Sequence, residues 1–189
     1  TDRKDWMVSQ FKKYGIKYNR VSGTKYLASE KARWKHLIVD EDYNLLVPSA
    51  ANAITHLDFL KRWYVETDEP YVLLMEDDYD LTLFQYWNFD WEYLMNRVPY
   101  DWDCLQLGYE SDEFLPFFLH PKLRHTYFGP VLLTRDYAEK ILSLHTSGDK
   151  YCFDKVLASK KFKKHGTTVD YFIAHTGRTY CIPLITTNI

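Results

Sequence analysis

Five consecutive apolar residues, Tyr71-Val72-Leu73-Leu74-Met75, run directly into Glu76-Asp77-Asp78-Tyr79-Asp80. A run of that kind suits a strand covered on both faces and predicts a central parallel strand. Upstream, Asp2 to Tyr14 places Trp6, Met7, Phe11 and Tyr14 at helical spacing, with Gly15 as the stop. Ile16 to Val21 alternates apolar and polar residues before Ser22-Gly23, which predicts a short strand and a turn. Between 24 and 47 the pattern assigns no firm element, although Lys25 to His36 is compatible with helix. Ser49 then reads as the N-cap of a helix that carries Ala50, Ala53, Ile54, Leu57, Leu60, Trp63 and Tyr64 on one stripe.

Downstream of the acids, Phe84 to Val98 is aromatic and partly helical. Asp103 to Gly108 predicts the next strand, followed by Glu110, Asp112 and Glu113. Phe114 to His125, with two prolines, reads as an irregular loop long enough to form a substrate flap. Tyr127 to Leu133 returns to strand, interrupted or edged by Gly129-Pro130. Thr134 reads as the cap of a helix from Arg135 to Leu144, and Phe153 to Phe162 as a further helix. Thr168 to Ala174, rich in β-branched and aromatic residues, predicts a last strand delivering His175-Thr176-Gly177-Arg178 to its end. Helices alternating with strands make this an α/β layered domain.

Composition bounds rather than changes that picture. The 189 residues suffice for one well-buried domain, and we expect a single one. With 24 Lys+Arg against 26 Asp+Glu, charge balance points neither to a nucleic-acid binder nor to an acidic tail. The one basic run, Lys160, Lys161, Lys163, Lys164 and His165, reads as a solvated face, with an anionic acceptor such as nucleic acid as the functional alternative. Cys104, Cys152 and Cys181 form no C-x-x-C pair, so neither a disulfide framework nor a zinc site is indicated, and a reducing, cytoplasmic-type compartment is expected. No apolar stretch has the length of a membrane span.

Chemistry gathers at the acids. Carboxylates crowded after a buried strand repel one another, and a divalent cation would relieve that repulsion. Side chains two apart share a face of an extended chain, which groups Glu76, Asp78 and Asp80; a turn after Asp77 would instead let Asp77 and Asp80 converge. Either arrangement offers two oxygen ligands to Mg²⁺ or Mn²⁺, and an imidazole such as His175 would favour Mn²⁺.

Three stretches resemble glycosyltransferase family 25. Asn52-Ala53-Ile54-Thr55-His56-Leu57 is similar to the family's "G-x-x-x-S-H" helix, Leu73-Leu74-Met75-Glu76-Asp77-Asp78 to its "hydrophobic-E-D-D" motif, and Asp101 to Gly108 to its "W-D-x-x-x-L-G". Asp2-Arg3 and Val21-Ser22-Gly23 also resemble the family's "L-x-R" and "A-x-D-G" regions. Asp77 to Asp80 and His175-Thr176-Gly177 are similar to the "D-x-x-D" and late histidine of the glycosyltransferase domains of procollagen lysyl hydroxylases.

The resemblance implies a GT-A-like, Rossmann-like mixed sheet flanked by helices in a single domain, lacking the family's first N-terminal strand. It implies a UDP-sugar donor, a hexose (galactose or glucose) as the transferred group, and a glycan, protein or other hydroxyl acceptor. Asp77, Asp78, Asp80 and His175 become candidate ligands of Mn²⁺ or Mg²⁺. Arg3, Ser22, Gly23, Glu76, Asp77 and Arg178 become candidate donor contacts. Asp154 is the first candidate for the general base, with Asp112 and Glu110 next. Two rivals fit the same acids. A nuclease-like phosphoryl-transfer enzyme would cluster carboxylates, but no lysine accompanies them in a nuclease-like pattern. A non-catalytic sugar- or calcium-binding module would use them structurally, although residues 77–90 lack the Gly and terminal Glu of an EF-hand.

Overall fold

The computed structural model describes residues 3–22, 28–39, 47–108, 116–122, 129–152, 169–174 and 176–187. In chain order the elements are α1 (Arg3–Lys13), α2 (Lys31–Trp34), α3 (Val47–Glu66), β1 (Tyr71–Leu74), β2 (Tyr79–Asp80), α4 (Trp91–Met95) and β3 (Cys104–Gln106). There follow β4 (His120–Pro121), β5 (Val131–Thr134), α5 (Arg135–His145), β6 (Thr146–Ser147), β7 (Lys150–Tyr151), α6 (Val169–Ala174), β8 (Thr179–Cys181) and β9 (Thr186–Thr187). The protein is a mixed α/β structure built on a five-stranded sheet of order β1-β5-β3-β8-β4. The chain divides into two compact units, one of residues 1–20, 71–134 and 177–189, the other of residues 21–70 and 135–176.

The first unit holds the whole sheet. β5 lies antiparallel to both β1 and β3, while β3 and β8 are parallel. β1, β3 and β8 therefore run in one direction and end at the same edge of the sheet. Leu105 and Leu132 of adjacent strands are buried in one cluster with Tyr79, Leu81, Leu94, Val98, Leu107, Leu184 and Ile185. Helix α1 ends as the sequence indicates: Gly15 adopts a left-handed φ of 66°, and the Ile16 amide reaches back to the Phe11 carbonyl at 2.9 Å. Glycine holds that conformation without steric cost, and Ile16 and Phe11 both pack on the core cluster, as such helix ends favour.

In the second unit, α3 buries Ala50, Ala53, Ile54, Leu57 and Leu60, and packs against α5 and α6. α5 contributes Tyr137, Ala138 and Ile141 to its core. Arg135 secures the end of α3: its guanidinium lies 4.5 Å from the Tyr64 ring centre and donates to the Tyr64 carbonyl at 2.6 Å.

Several expectations are corrected. β1 is an antiparallel edge strand, not a central parallel one. Val72 and Leu74 are buried, whereas Tyr71 and Leu73 are 44% and 41% exposed, so the period of two was masked by apolar residues on the outer face as well. Residues 16–22 form no strand; Tyr18 instead packs its ring on Phe11 at 4.6 Å. α3 begins at Val47, which puts Pro48 in the first turn, where its missing N–H costs nothing, and Ser49 inside the helix rather than at its cap. Thr134 closes β5 and hands directly to α5.

The expected last strand is helix α6: Val169, Phe172 and Ile173 are buried at helical spacing, which outweighed their strand-like composition. The strand comes later, as β8, so Arg178 precedes a strand instead of following one. The expected flap contains β4, with Pro121 on an edge strand where its lack of an N–H is tolerated. The helix expected over 153–162 lies outside the described residues.

Gly108 marks the tightest approach in the first unit. A Cβ there would meet the Ile185 carbonyl oxygen at 2.4 Å and Pro130 Cδ at 3.1 Å, both parts of the fixed frame. Gly108→Ala should therefore cost roughly 1–3 kcal/mol, the usual penalty of overpacking. Chemical denaturation should show a lower midpoint; an unchanged midpoint would mean that the two segments separate freely.

Candidate functional site

The acidic stretch leaves β1, turns at Asp77-Asp78 and returns as β2, which pairs antiparallel with β9. A buried glutamine of α1 holds the return. Gln10 donates from Nε2 to the Tyr79 carbonyl at 3.0 Å and accepts the Leu81 amide on Oε1 at 2.7 Å. The Tyr79 carbonyl lies in the two-residue strand β2 and the Leu81 amide just beyond it, so one side chain does the work of a missing ladder neighbour. Sequence reasoning passed over Gln10; the signal available was a polar residue three positions after Met7 on the apolar stripe of α1.

Within the turn the carboxylates take different partners. Asp80 Oδ1 accepts the Thr82 amide at 2.7 Å and opens the short helical turn Thr82–Tyr86. Asp77 Oδ1 lies 3.6 Å from Arg3 Nη1, with both side chains about two thirds exposed (64% and 67%), so the pair contributes little to stability. Asp78 differs. Its Oδ1 is buried and has no hydrogen-bond partner among the described residues. Burial first, then the charge of Glu76, pushes the Asp78 carboxyl above its usual range; its own backbone amide and the Arg3 guanidinium pull the other way, and Asp77 adds to the rise.

The same edge of the sheet collects the ends of β3 and β8. The Leu107 carbonyl accepts the amides of Leu184 at 2.7 Å and Ile185 at 2.9 Å, and the latter seats β9 beside β2. Thus the Glu76–Asp80 turn and the Leu107-Gly108 strand end, which the sequence reads as two separate motifs, belong to one edge of one sheet. Beyond Gly108 the chain continues into Glu110 and Asp112.

The structure brings together Arg3, Glu76, Asp77 and Asp78, and turns Asp80 toward Thr82. Arg178 is not with them. It stands at the opposite end of the sheet, where β3 and β8 begin, with its guanidinium on Asp101 and its amide on Asp103 Oδ2 at 2.8 Å. Ser22 is exposed at the end of the strandless segment 16–22. Gly23, Glu110, Asp112, Asp154 and His175 lie outside the described residues, as does the basic run from Lys160.

Among the described residues no three His, Cys, Asp or Glu side chains are grouped to hold a metal ion by themselves. Burial pushes Cys104 up to about 12 and Cys181 to about 11, so these two are neutral thiols near pH 7. No described helix is long and apolar enough to cross a membrane.

No family model matches the chain. No curated protein matches it in sequence either. Among solved structures it is similar to the crystal structure of A197 from STIV, at 14% identity and a TM-score of 0.46, over 71% of this chain and 64% of that one. The chain thus spans just under two thirds of that protein, and a likeness this faint decides neither fold type nor function.

Two measurements test the site's construction. Gln10→Ala should cost roughly 1–3 kcal/mol by stranding backbone groups at Tyr79 and Leu81, which at this chain length lowers Tm by roughly 2–4 °C per kcal/mol. A melting curve within one degree of the parent would remove Gln10 from this role. Asp78→Asn in metal-free protein should raise Tm at pH 7, because a carboxyl whose folded pKa is raised destabilises the fold once pH exceeds the folded value. That gain should shrink as pH falls toward the unfolded carboxylate value of about 3.9, where both chains carry a neutral group. A difference in Tm that stays constant with pH would contradict the burial assigned to Asp78.

Proposed function

We propose that this chain is a metal-dependent glycosyltransferase of GT-A-like type, moving a hexose from a UDP-sugar to a hydroxyl acceptor. The observation that carries the reading is Asp78: a carboxylate oxygen buried without a donor, flanked by Glu76 and Asp77, at the edge where β1, β3 and β8 end. Desolvating a carboxylate is costly unless something positive meets it, and hard oxygen donors in this arrangement fit Mn²⁺ or Mg²⁺. Fewer than three protein ligands would leave coordination positions for a diphosphate, as magnesium-type sites commonly do.

Such an ion, when bound, neutralises charge developing on a departing nucleoside diphosphate. The residues supply the rest. Asp78 provides the buried oxygen, and Asp77, exposed beside Arg3, a second carboxylate. Glu76 raises the local negative potential, which favours the cation further. The acceptor hydroxyl needs a base if transfer inverts configuration, and Glu110 and Asp112, just beyond the Gly108 end of β3, are the candidates that follow this edge in sequence; Asp154 is the third. The family 25 motifs on which the donor assignment rests supply the sugar-nucleotide specificity of the proposal.

The test is Mn²⁺-dependent hydrolysis and transfer across a panel of UDP- and GDP-sugars. Turnover should require the metal, and Asp78→Ala should lower it by roughly 100-fold or more, the scale on which loss of a charge-stabilising group acts. Mn²⁺ should also raise the Tm of the parent chain and leave that of Asp78→Ala unmoved. Absence of both nucleotide-sugar turnover and Mn²⁺ stabilisation would sink the proposal.

A further inference from the structure

Another surface of the first unit carries a ladder of aromatic rings. After β2, five aromatic rings follow one another through space. Tyr14 lies 5.3 Å from Phe84, Phe84 4.2 Å from Trp87, Trp87 5.4 Å from Phe89, and Phe89 6.0 Å from Tyr93. Tyr14 and Phe84 pack on the core cluster, so the inner end of the ladder is fixed. Arg97 fixes the outer end, its guanidinium 3.4 Å from the Tyr93 ring centre and its Nη1 donating to the Tyr93 carbonyl at 3.2 Å. Asp90 locks the turn between them by accepting the Tyr93 amide at 2.8 Å. Trp87, Asn88, Phe89, Asp90 and Tyr93 line a shallow, open depression of about 450 Å³.

We propose that this groove binds a neutral pyranose unit of a carbohydrate. Trp87 and Phe89 are nearly parallel, 11° apart, stacked on one another and half-buried against the core cluster, so the outward part of the stack is apolar, while the exposed Asn88 amide and Asp90 carboxylate stand beside it. A sugar ring has that same division, with a C–H face for an aromatic ring and hydroxyls at its rim for amide and carboxylate. A purely apolar partner would take water from the exposed Asn88 amide and from the Asp90 oxygen not used by Tyr93, and return no hydrogen bond. An anionic ligand meets the carboxylates of Asp90 and Glu92, and the nearby cation, Arg97, is engaged on Tyr93. Because the walls are braced before any ligand arrives, little ordering cost attends binding. As an acceptor-holding subsite the groove rests on the glycosyl-transfer reading above; as a saccharide site it stands without it.

The experiment uses the full chain in EDTA, without nucleotide, titrated with lactose, maltose, cellobiose and a single-stranded DNA oligonucleotide by calorimetry and saturation-transfer NMR. At least one disaccharide should bind. Trp87→Ala should weaken it by roughly tenfold or more. Asn88→Ala, an exposed change that leaves the aromatic ladder intact, should weaken it as well, with circular dichroism showing both variants folded. Failure of every disaccharide to bind, binding unaltered by both substitutions, or oligonucleotide binding lost in the same variants would each overturn the proposal. Disaccharide binding beside an inactive donor assay would overturn the transfer reaction and leave the groove standing.

Discussion

The arrangement at the acidic edge depends on one carbonyl. Leu107 receives the amides of Leu184 and Ile185, and the chain can make that turn only because Gly108 has no side chain against the Ile185 oxygen. From there Thr186 and Thr187 pair with β2, and Gln10 holds the other side of the same short strand. The acidic turn is thereby fixed where it returns as β2, by β9 on one side and the Gln10 side chain on the other, while β5 holds β1 at its start. Orphaned backbone groups here would be buried, which is why a side-chain amide from α1 is recruited.

Once the turn is fixed, its carboxylates cannot relax apart. Asp80 and Asp77 find partners in the Thr82 amide and in Arg3, and the unresolved negative charge concentrates on Asp78. Frame and charge thus belong to one design: the edge holds a half-buried carboxylate with one oxygen turned away from water and unpaired among the described residues. Burying part of a carboxylate there weakens the fold slightly, and under the proposed function a bound cation would relieve that cost.

The sequence revealed the helices well, because their signals are local. The Gly15 stop, the buried stripe of α3 and the run of α5 follow from spacing along a few turns. It also revealed the acids and the Gly108 strand end as separate motifs. What it hid was non-local. Whether Tyr71–Leu74 lies central or at an edge depends on β5, some sixty residues away, and the apolar Tyr71 and Leu73 erased the alternation that would have told. For Val169–Ala174, β-branched and aromatic composition pointed to strand while the spacing of Val169, Phe172 and Ile173 pointed to helix, and burial chose the spacing. Gln10 could be found only by knowing which backbone it faces. Arg178 looked like a phosphate contact until its pairing with Asp101 and Asp103 put it at the far end of the sheet.

The edge position of β1 has a consequence for the life of the chain in solution. Tyr-Val-Leu-Leu at a sheet margin is a template on which a second copy could add a strand, the commonest first step toward aggregation of β-rich surfaces. Asp68, Glu69 and Pro70 stand immediately before it, and Glu76, Asp77 and Asp78 shortly after. Two strands docked edge to edge would bring these charges against their own images, and proline supplies no amide to extend the ladder. The acids therefore guard the strand as well as crowning it, and neutralising them as a group would leave that margin open to a second strand.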